Sequence, residues 1–416
     1  MALNEFKNSV KWTSILEILI RIFSFLVGLI VVRYVSPEDL GNYYKVYTII
    51  TFISGISSPG FFTVILSSKK YQKEIYSDSA WTWDVFISNL IILIVSSALL
   101  ILFFNDLDSM YYLILIIPFL RLFLSSKNYE LQYNLNYKSL FELKVYPRIY
   151  NLIITVLLLI LNFGVISIII GEIIGQLTYT ISSRKNFRVN KLHLFNTESY
   201  KLFIKGYMVL LSRFVRLVRS NLDKVLIIPF LSPELIAAVN VIDKPANFIV
   251  TFLKGTINKV SLPYLSKYRN YKIKNLVTLF LILMLFEIIS ISILREFSFD
   301  IVEFLFSNKY SQYSVFIVWG LHYSILKYLN SYLFVHFASE TNFRYEFYSG
   351  LFLLSSISII TIYFWNFQYI SLLKFLIGLE LINLFFLGFK VNSLTARLVI
   401  CLKILLTLIL IYFYES

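Results

Sequence analysis

The sequence predicts an all-α, polytopic membrane protein with about twelve transmembrane helices in two six-helix lobes. Three observations carry that expectation. Apolar residues make up 58% of the 416-residue chain and charged residues only 15%, with a mean hydropathy of +0.74; soluble domains carry roughly 25% charged residues. The apolar residues form long runs along the whole chain, and about 20 such residues suffice for a helix to cross roughly 30 Å of hydrocarbon. Basic residues then recur in alternate connections, as the positive-inside rule requires.

The first six helices are expected near 12–34, 41–66, 81–104, 111–135, 140–161 and 163–183. The polar stretch 1–11 precedes them, and 12–34 is too long for a signal-peptide core and lacks a small-residue cleavage site, so it reads as a retained first helix. A basic link at 184–201 follows. The second six helices are expected near 202–231, 233–258, 275–294, 311–337, 344–365 and 367–389. A C-terminal extension, 390–416, contains a weaker apolar stretch at 396–414, a candidate thirteenth crossing.

The connections set the orientation. Lys7 and Lys11 precede helix one; Lys69, Lys70 and Lys73 follow helix two; Lys138 follows helix four. Arg184, Lys185, Arg188, Lys191 and Lys201 lie between helices six and seven, and Lys259, Lys267, Arg269, Lys272 and Lys274 between eight and nine. The opposite connections are nearly free of them, apart from Arg295 and Lys309. The N-terminus and the 184–201 link are therefore expected in the cytoplasm. The lobes are 1–183 and 202–389, and because six is even they insert the same way up, about an axis along the membrane normal. A shared motif supports the duplication: Ser36-Pro37-Glu38 follows helix one and Ser232-Pro233-Glu234 follows helix seven.

Composition also excludes function classes. The net charge of +14 is dispersed through short loops and single positions in apolar helices, which argues for topology and an anionic substrate and against nucleic acid. A lone cysteine, Cys401, excludes an internal disulfide and a Cys-rich metal site, and three histidines argue against a His-based metal centre. There is no GxxxxGK[ST] loop, no HExxH, and no long extracytoplasmic loop for a soluble catalytic site, so no cofactor is expected and transport fits better than chemistry.

Charged residues inside apolar helices are the candidate functional groups, since each costs roughly 2.5–3.5 kcal/mol in lipid and so faces a bundle interior or an aqueous path. Arg21 lies near the middle of helix one, with Glu17 one turn earlier on the same face. On helix seven, Arg213, Arg216, Arg219 and Asp223 recur at intervals of three, three and four, within an arc of about 120°. Asp223 can neutralise only one of the three arginines, so the stripe calls for an anion from elsewhere. Arg121 is central in helix four, with His322 and Lys327 in the matching part of helix ten; Asp243 and Lys244 are central in helix eight beside Pro245. Glu17 with Arg21 also fits a structural i,i+4 pair. Lys144, Arg148, Lys254 and Arg344, nearer helix ends, are expected to snorkel to the interface.

Three stretches resemble a known family. Arg33-Tyr34-Val35-Ser36-Pro37-Glu38-Asp39-Leu40-Gly41-Asn42-Tyr43, then 130–138 (ELQYNLNYK), then Asp223 with Leu262-Pro263-Tyr264-Leu265-Ser266-Lys267, resemble the Wzx-type polysaccharide flippases of the multidrug/oligosaccharidyl-lipid/polysaccharide exporter superfamily. The resemblance covers about the first 270 residues, and the chain departs from the family pattern at Ala237-Ala238-Val239-Asn240. It implies a two-lobed transporter of the bacterial cytoplasmic membrane that flips an undecaprenyl-pyrophosphate-linked oligosaccharide, such as an O-antigen or capsular repeat unit, by alternating access. Its partners would be the lipid-linked oligosaccharide, membrane lipids and other polysaccharide assembly proteins. The substrate-binding residues would be Arg21, Arg121, Arg213, Arg216, Arg219 and Lys244, and the candidate ion-coupling carboxylates Glu17, Asp223 and Asp243. Export of small organic cations, or a membrane-embedded glycan polymerase or ligase, are the alternatives; the first calls for an acidic path and the second for a large extracytoplasmic loop.

The orientation is testable with impermeant thiol reagents on intact cells lacking Cys401. Asn105→Cys should label readily and Asn186→Cys should stay protected; labelling at position 186 would overturn the assignment.

Overall fold

The computed structural model describes residues 2–56, 108–122, 137–183, 231–242, 272–338, 369–391 and 393–415, with isolated positions at 90, 94–95, 97–98, 250, 348–349, 352 and 355–356. Every regular element among them is helical: α1 Ala2–Tyr34, α2 Pro37–Ile56, α3 Ile116–Leu122, α4 Tyr137–Ile160, α5 Ile166–Ser183, α6 Pro233–Ile242, α7 Lys272–Phe306, α8 Val315–Ala338, α9 Tyr369–Phe389 and α10 Leu394–Glu415. Short 3-10 segments, Ser109–Leu115 and Asn308–Tyr313, lead into α3 and α8. The chain is a multi-pass helical membrane protein. Among the described residues, helices at Lys138–Ile160, Leu276–Phe306 and Leu394–Tyr412 are long and apolar enough to cross a membrane.

Two compact units form, Met1–Ala237 and Ala238–Ser416. The expected link at 184–201 and helix seven at 202–231 lie outside the described residues, as does nearly all of helices three and eleven. In the first unit α4 packs against α1 and α5, and α3 against α5. In the second unit α7 packs against α8 and α10, and α9 against the same two helices, so four helices form a closed ring.

The sequence explains where several helices begin and end. Ser36 and Ser232 are N-caps followed by proline at the first helical position, where the missing N–H is one of the unpaired donors anyway. The Asp39 N–H donates to Ser36 Oγ at 3.1 Å and the Leu235 N–H to Ser232 Oγ at 3.4 Å. The repeated Ser-Pro-Glu motif is thus helix-start chemistry in both places. Pro233 also meets α2 directly: a Cβ on Gly41 would overlap the Pro233 carbonyl. At the other end of α4, Asn162 takes a left-handed φ of 62°, and the Phe163 N–H reaches Leu158 O at 3.1 Å. This cap turns the chain into α5 within a few residues.

Helix α7 runs to Phe306, twelve residues beyond the expected end at 294. The charges Arg295, Glu296, Asp300 and Glu303 give 295–306 the look of a loop, yet Ile291, Ser298, Val302 and Phe306 stay buried at helical spacing. The break comes instead at Ser307, with φ of 73°. Arg295, one of the two exceptions to the charge pattern, therefore sits on a helix. The stretch 396–414 is helical within α10, which packs against α7 and α9.

In α5, Gly171-Glu172-Ile173-Ile174-Gly175 places two glycines one turn apart toward α4. A Cβ on Gly171 would overlap Thr155 Oγ1, and one on Gly175 would lie 3.0 Å from Pro147 O. Small residues let two backbones approach where lipid gives no hydrophobic drive for association. Gly171→Ala should cost about 1–3 kcal/mol of stability through overpacking. Thr155→Ala should restore part of it, and Gly378→Ala, with open space around its Cβ, should cost nothing. Thermal unfolding in detergent micelles reads all three.

Candidate functional site

The buried polar groups of the described residues concentrate at three places where helices meet. The first joins α4 to α5. Glu172 sits between the two glycines and accepts from Arg148 Nη1 at 3.1 Å. Beside them Thr155 Oγ1 donates to Asn151 Oδ1 at 3.1 Å. Arg148, expected to snorkel to the interface, is instead held across the helix pair by a carboxylate that hydropathy alone does not single out.

The second place ties α8 to α9. The Asn330 amide donates to the Glu380 carboxylate at 2.5 Å and to its backbone carbonyl at 2.9 Å. One turn further along α9, Asn383 Oδ1 accepts from Ser349 Oγ at 2.7 Å. All four residues are buried. On the same helices Lys374 Nζ lies 5.2 Å from the Trp319 ring centroid and Lys327 Nζ 4.9 Å from that of Tyr323, close enough for cation–π attraction.

The third place is the most highly charged. Glu287 of α7, His322 of α8 and Lys403 of α10 converge, with exposures of 0%, 1% and 0%. Lys403 Nζ donates to Glu287 Oε2 and, at 2.7 Å, to Thr407 Oγ1. His322 Nδ1 lies 2.7 Å from Glu287 Oε1. A carboxylate paired with an ammonium only accepts, so Nδ1 is the ring nitrogen that donates to Glu287. Nε2 is buried and has no hydrogen-bond partner among the described residues. An ammonium where a metal ligand would be needed makes the cluster unsuited to a metal ion.

The sequence of α10 builds this arrangement. Ala396, Ile400, Lys403 and Thr407 are buried and fall within an arc of about 60°. The remaining surface exposes Leu394, Leu398, Leu402, Leu405 and Leu408. This is the inverse of a soluble amphipathic helix, with polar groups inward and leucine outward, as expected of a helix in lipid.

The residues expected to bind substrate are placed unevenly. Arg21 is on α1 and partly buried; Arg121 lies on α3 and Glu17 on α1, with side chains outside the described set. Arg213, Arg216, Arg219, Asp223, Asp243 and Lys244 lie outside the described residues. Of the groups flanking the middle of helix ten, His322 enters the cluster and Lys327 donates to Tyr323 Oη at 3.4 Å. Glu287, Glu380 and Lys403 escape the sequence reading, although each is a single charge inside an apolar run, the criterion that picks out Arg21.

The cluster should behave as one unit. Glu287→Gln, leaving the ammonium buried without a counter-charge, should lose about 3–5 kcal/mol, as broken buried pairs do. Glu287→Gln combined with Lys403→Met should recover most of that loss in the same thermal melt.

Comparison with known proteins places this geometry in context. The profile of a family described as "Polysaccharide biosynthesis protein" matches residues 30–315. No curated protein matches the chain by sequence. Among solved structures it is similar to the lipid II flippase MurJ in an inward closed conformation, at 18% identity and a TM-score of 0.73, over 97% of this chain and 93% of that one. It is also similar to an inward-facing multidrug resistance MATE family transporter of the MOP superfamily, at 13% identity and a TM-score of 0.64, over 97% of this chain and 99% of that one. At these identities the likeness establishes the fold: a two-lobed, all-helical membrane architecture.

Proposed function

From the membership of this chain in the polysaccharide biosynthesis protein family, we propose that it flips undecaprenyl-pyrophosphate-linked oligosaccharide repeat units across the bacterial cytoplasmic membrane by alternating access. The observation that carries the reading is the family match together with the arginine stripe of 202–231. The spacing of Arg213, Arg216 and Arg219 puts them on one face of the expected helix with a single carboxylate, Asp223. A pyrophosphate is the complement of that excess, because the guanidinium presents a planar fork that holds phosphate oxygens in pairs. Arg21, Arg121 and Lys244 are the further basic candidates for that head group, and Glu17, Asp223 and Asp243 the candidate carboxylates for ion coupling. The fold is that of a flippase for a lipid-linked substrate as well as of a drug transporter. A basic path favours the first over export of organic cations.

In a strain lacking the gene, Arg216→Ala and Arg219→Ala proteins should accumulate in the membrane yet fail to restore surface glycan on electrophoretic analysis. Arg→Lys should be intermediate, and Lys254→Ala close to unaltered. Normal glycan from both alanine variants would make the stripe structural, and single repeat units at the surface of the deletion strain would point to a polymerase.

A further inference from the structure

We propose that Glu287, His322 and Lys403 form a proton-binding site whose loading loosens the hold of the last helix, α10, on the second unit. The inference concerns the energetics of the protein and not the identity of its cargo. It starts from a mismatch in valence. One carboxylate serves two nitrogen donors, Nδ1–H of His322 and Nζ of Lys403, each on its own oxygen. With a neutral imidazole the cluster sums to zero: one carboxylate, one ammonium. That is the state in which three charged or polar groups tolerate a fully buried place.

The remaining basic atom is Nε2 of His322, buried and without a hydrogen-bond partner among the described residues. A proton taken from water onto that lone pair converts the ring to an imidazolium and raises the cluster to a net charge of one. Two cations then compete for one carboxylate. The imidazolium, fixed on α8 by its short backbone tether, keeps its oxygen. Lys403, on a long flexible stem with Thr407 Oγ1 as its second acceptor, is the partner that yields. Because Lys403 holds α10 to α7 through Glu287, the effect of the proton is delivered to that helix contact.

Among the described residues, the neighbouring charges do not supply the missing counter-ion. On α9, Glu380 is bonded to Asn330, eight residues along α8 from His322, and Lys374 lies over Trp319. On α8 itself Lys327 is bonded to Tyr323. Arg295, Glu296, Asp300 and Glu303 of α7 lie two turns or more beyond Glu287, and Lys309, in the 3-10 segment packed against α8, is exposed. With one carboxylate at the cluster among the described residues, its occupancy by two cations is unstable.

Two measurements without substrate decide it. In a His193→Gln/His336→Gln protein, which retains His322 alone, 15N NMR in nanodiscs should show the Nδ1-protonated neutral ring at high pH. It should become an imidazolium on acidification. Dipolar EPR between a label on the native, exposed Cys401 of α10 and one on Ile293→Cys of α7 should gain a second distance on the same acidification. His322→Gln, which can still donate to Glu287 but cannot take a proton, should keep the high-pH distance throughout, whereas Glu287→Gln/Lys403→Met, which lacks the contact, should give the same distances at every pH. A ring that never titrates, a single distance at every pH, or a pH-dependent distance that survives in His322→Gln would each overturn the proposal.

Discussion

Lys403 and Glu287 meet in a place where neither can fall back on water, and that constraint organises the second unit. In hydrocarbon every polar group must find its partner inside the protein, and a lone charge at mid-membrane costs roughly 2.5–3.5 kcal/mol on insertion scales. Hydrogen bonds between membrane helices are individually weak, averaging about 0.6 kcal/mol in double-mutant cycles. The pair therefore contributes less by attraction than by making every other placement of α10 costly. A helix turned by a third of a circle would put an ammonium into lipid and leucines into the interior. Rotation about the α10 axis is thereby fixed, and Asn330 on Glu380 fixes α8 against α9 in the same manner.

The first unit satisfies the same constraint with a different device. There the backbones of α4 and α5 come close because Gly171 and Gly175 leave no side chain between them. Dispersion between the two surfaces then supplies the attraction that lipid does not oppose. The single buried carboxylate on that face, Glu172, is matched by Arg148 at 3.1 Å. Among the described residues the unit thus combines close contact with the Arg148–Glu172 ion pair, where the second unit relies on a network reaching across three helices.

Legibility in the sequence follows these physical differences. Helices are legible because about 20 apolar residues in a row have no stable home in water but match the thickness of a bilayer, and α4, α5, α8, α9 and α10 lie close to their expected ranges. The end of α7 is not legible, because a hydropathy window stops at the first charges, whereas a helix stops where backbone geometry changes, at Ser307. Arg148 misleads for a related reason: nearness to a helix end says that snorkelling is feasible, not that Glu172, 24 residues away, is nearer. Glu287 and Lys403 are recognisable one by one as charges in apolar runs. Their pairing is not, since 116 residues separate them and no local pattern connects them.

Charge balance also separates the two kinds of polar group that the chain carries. The arginine stripe of 202–231 has three cations to one carboxylate, an imbalance that an anionic head group can fill and that hydrophobic packing cannot. The Glu287, His322 and Lys403 cluster pairs one carboxylate with one ammonium, and all three side chains are buried. What it retains is a ring nitrogen, Nε2 of His322, with no hydrogen-bond partner among the described residues. A group that answers to cargo must be open and charged, while one that answers to a proton can be closed and neutral.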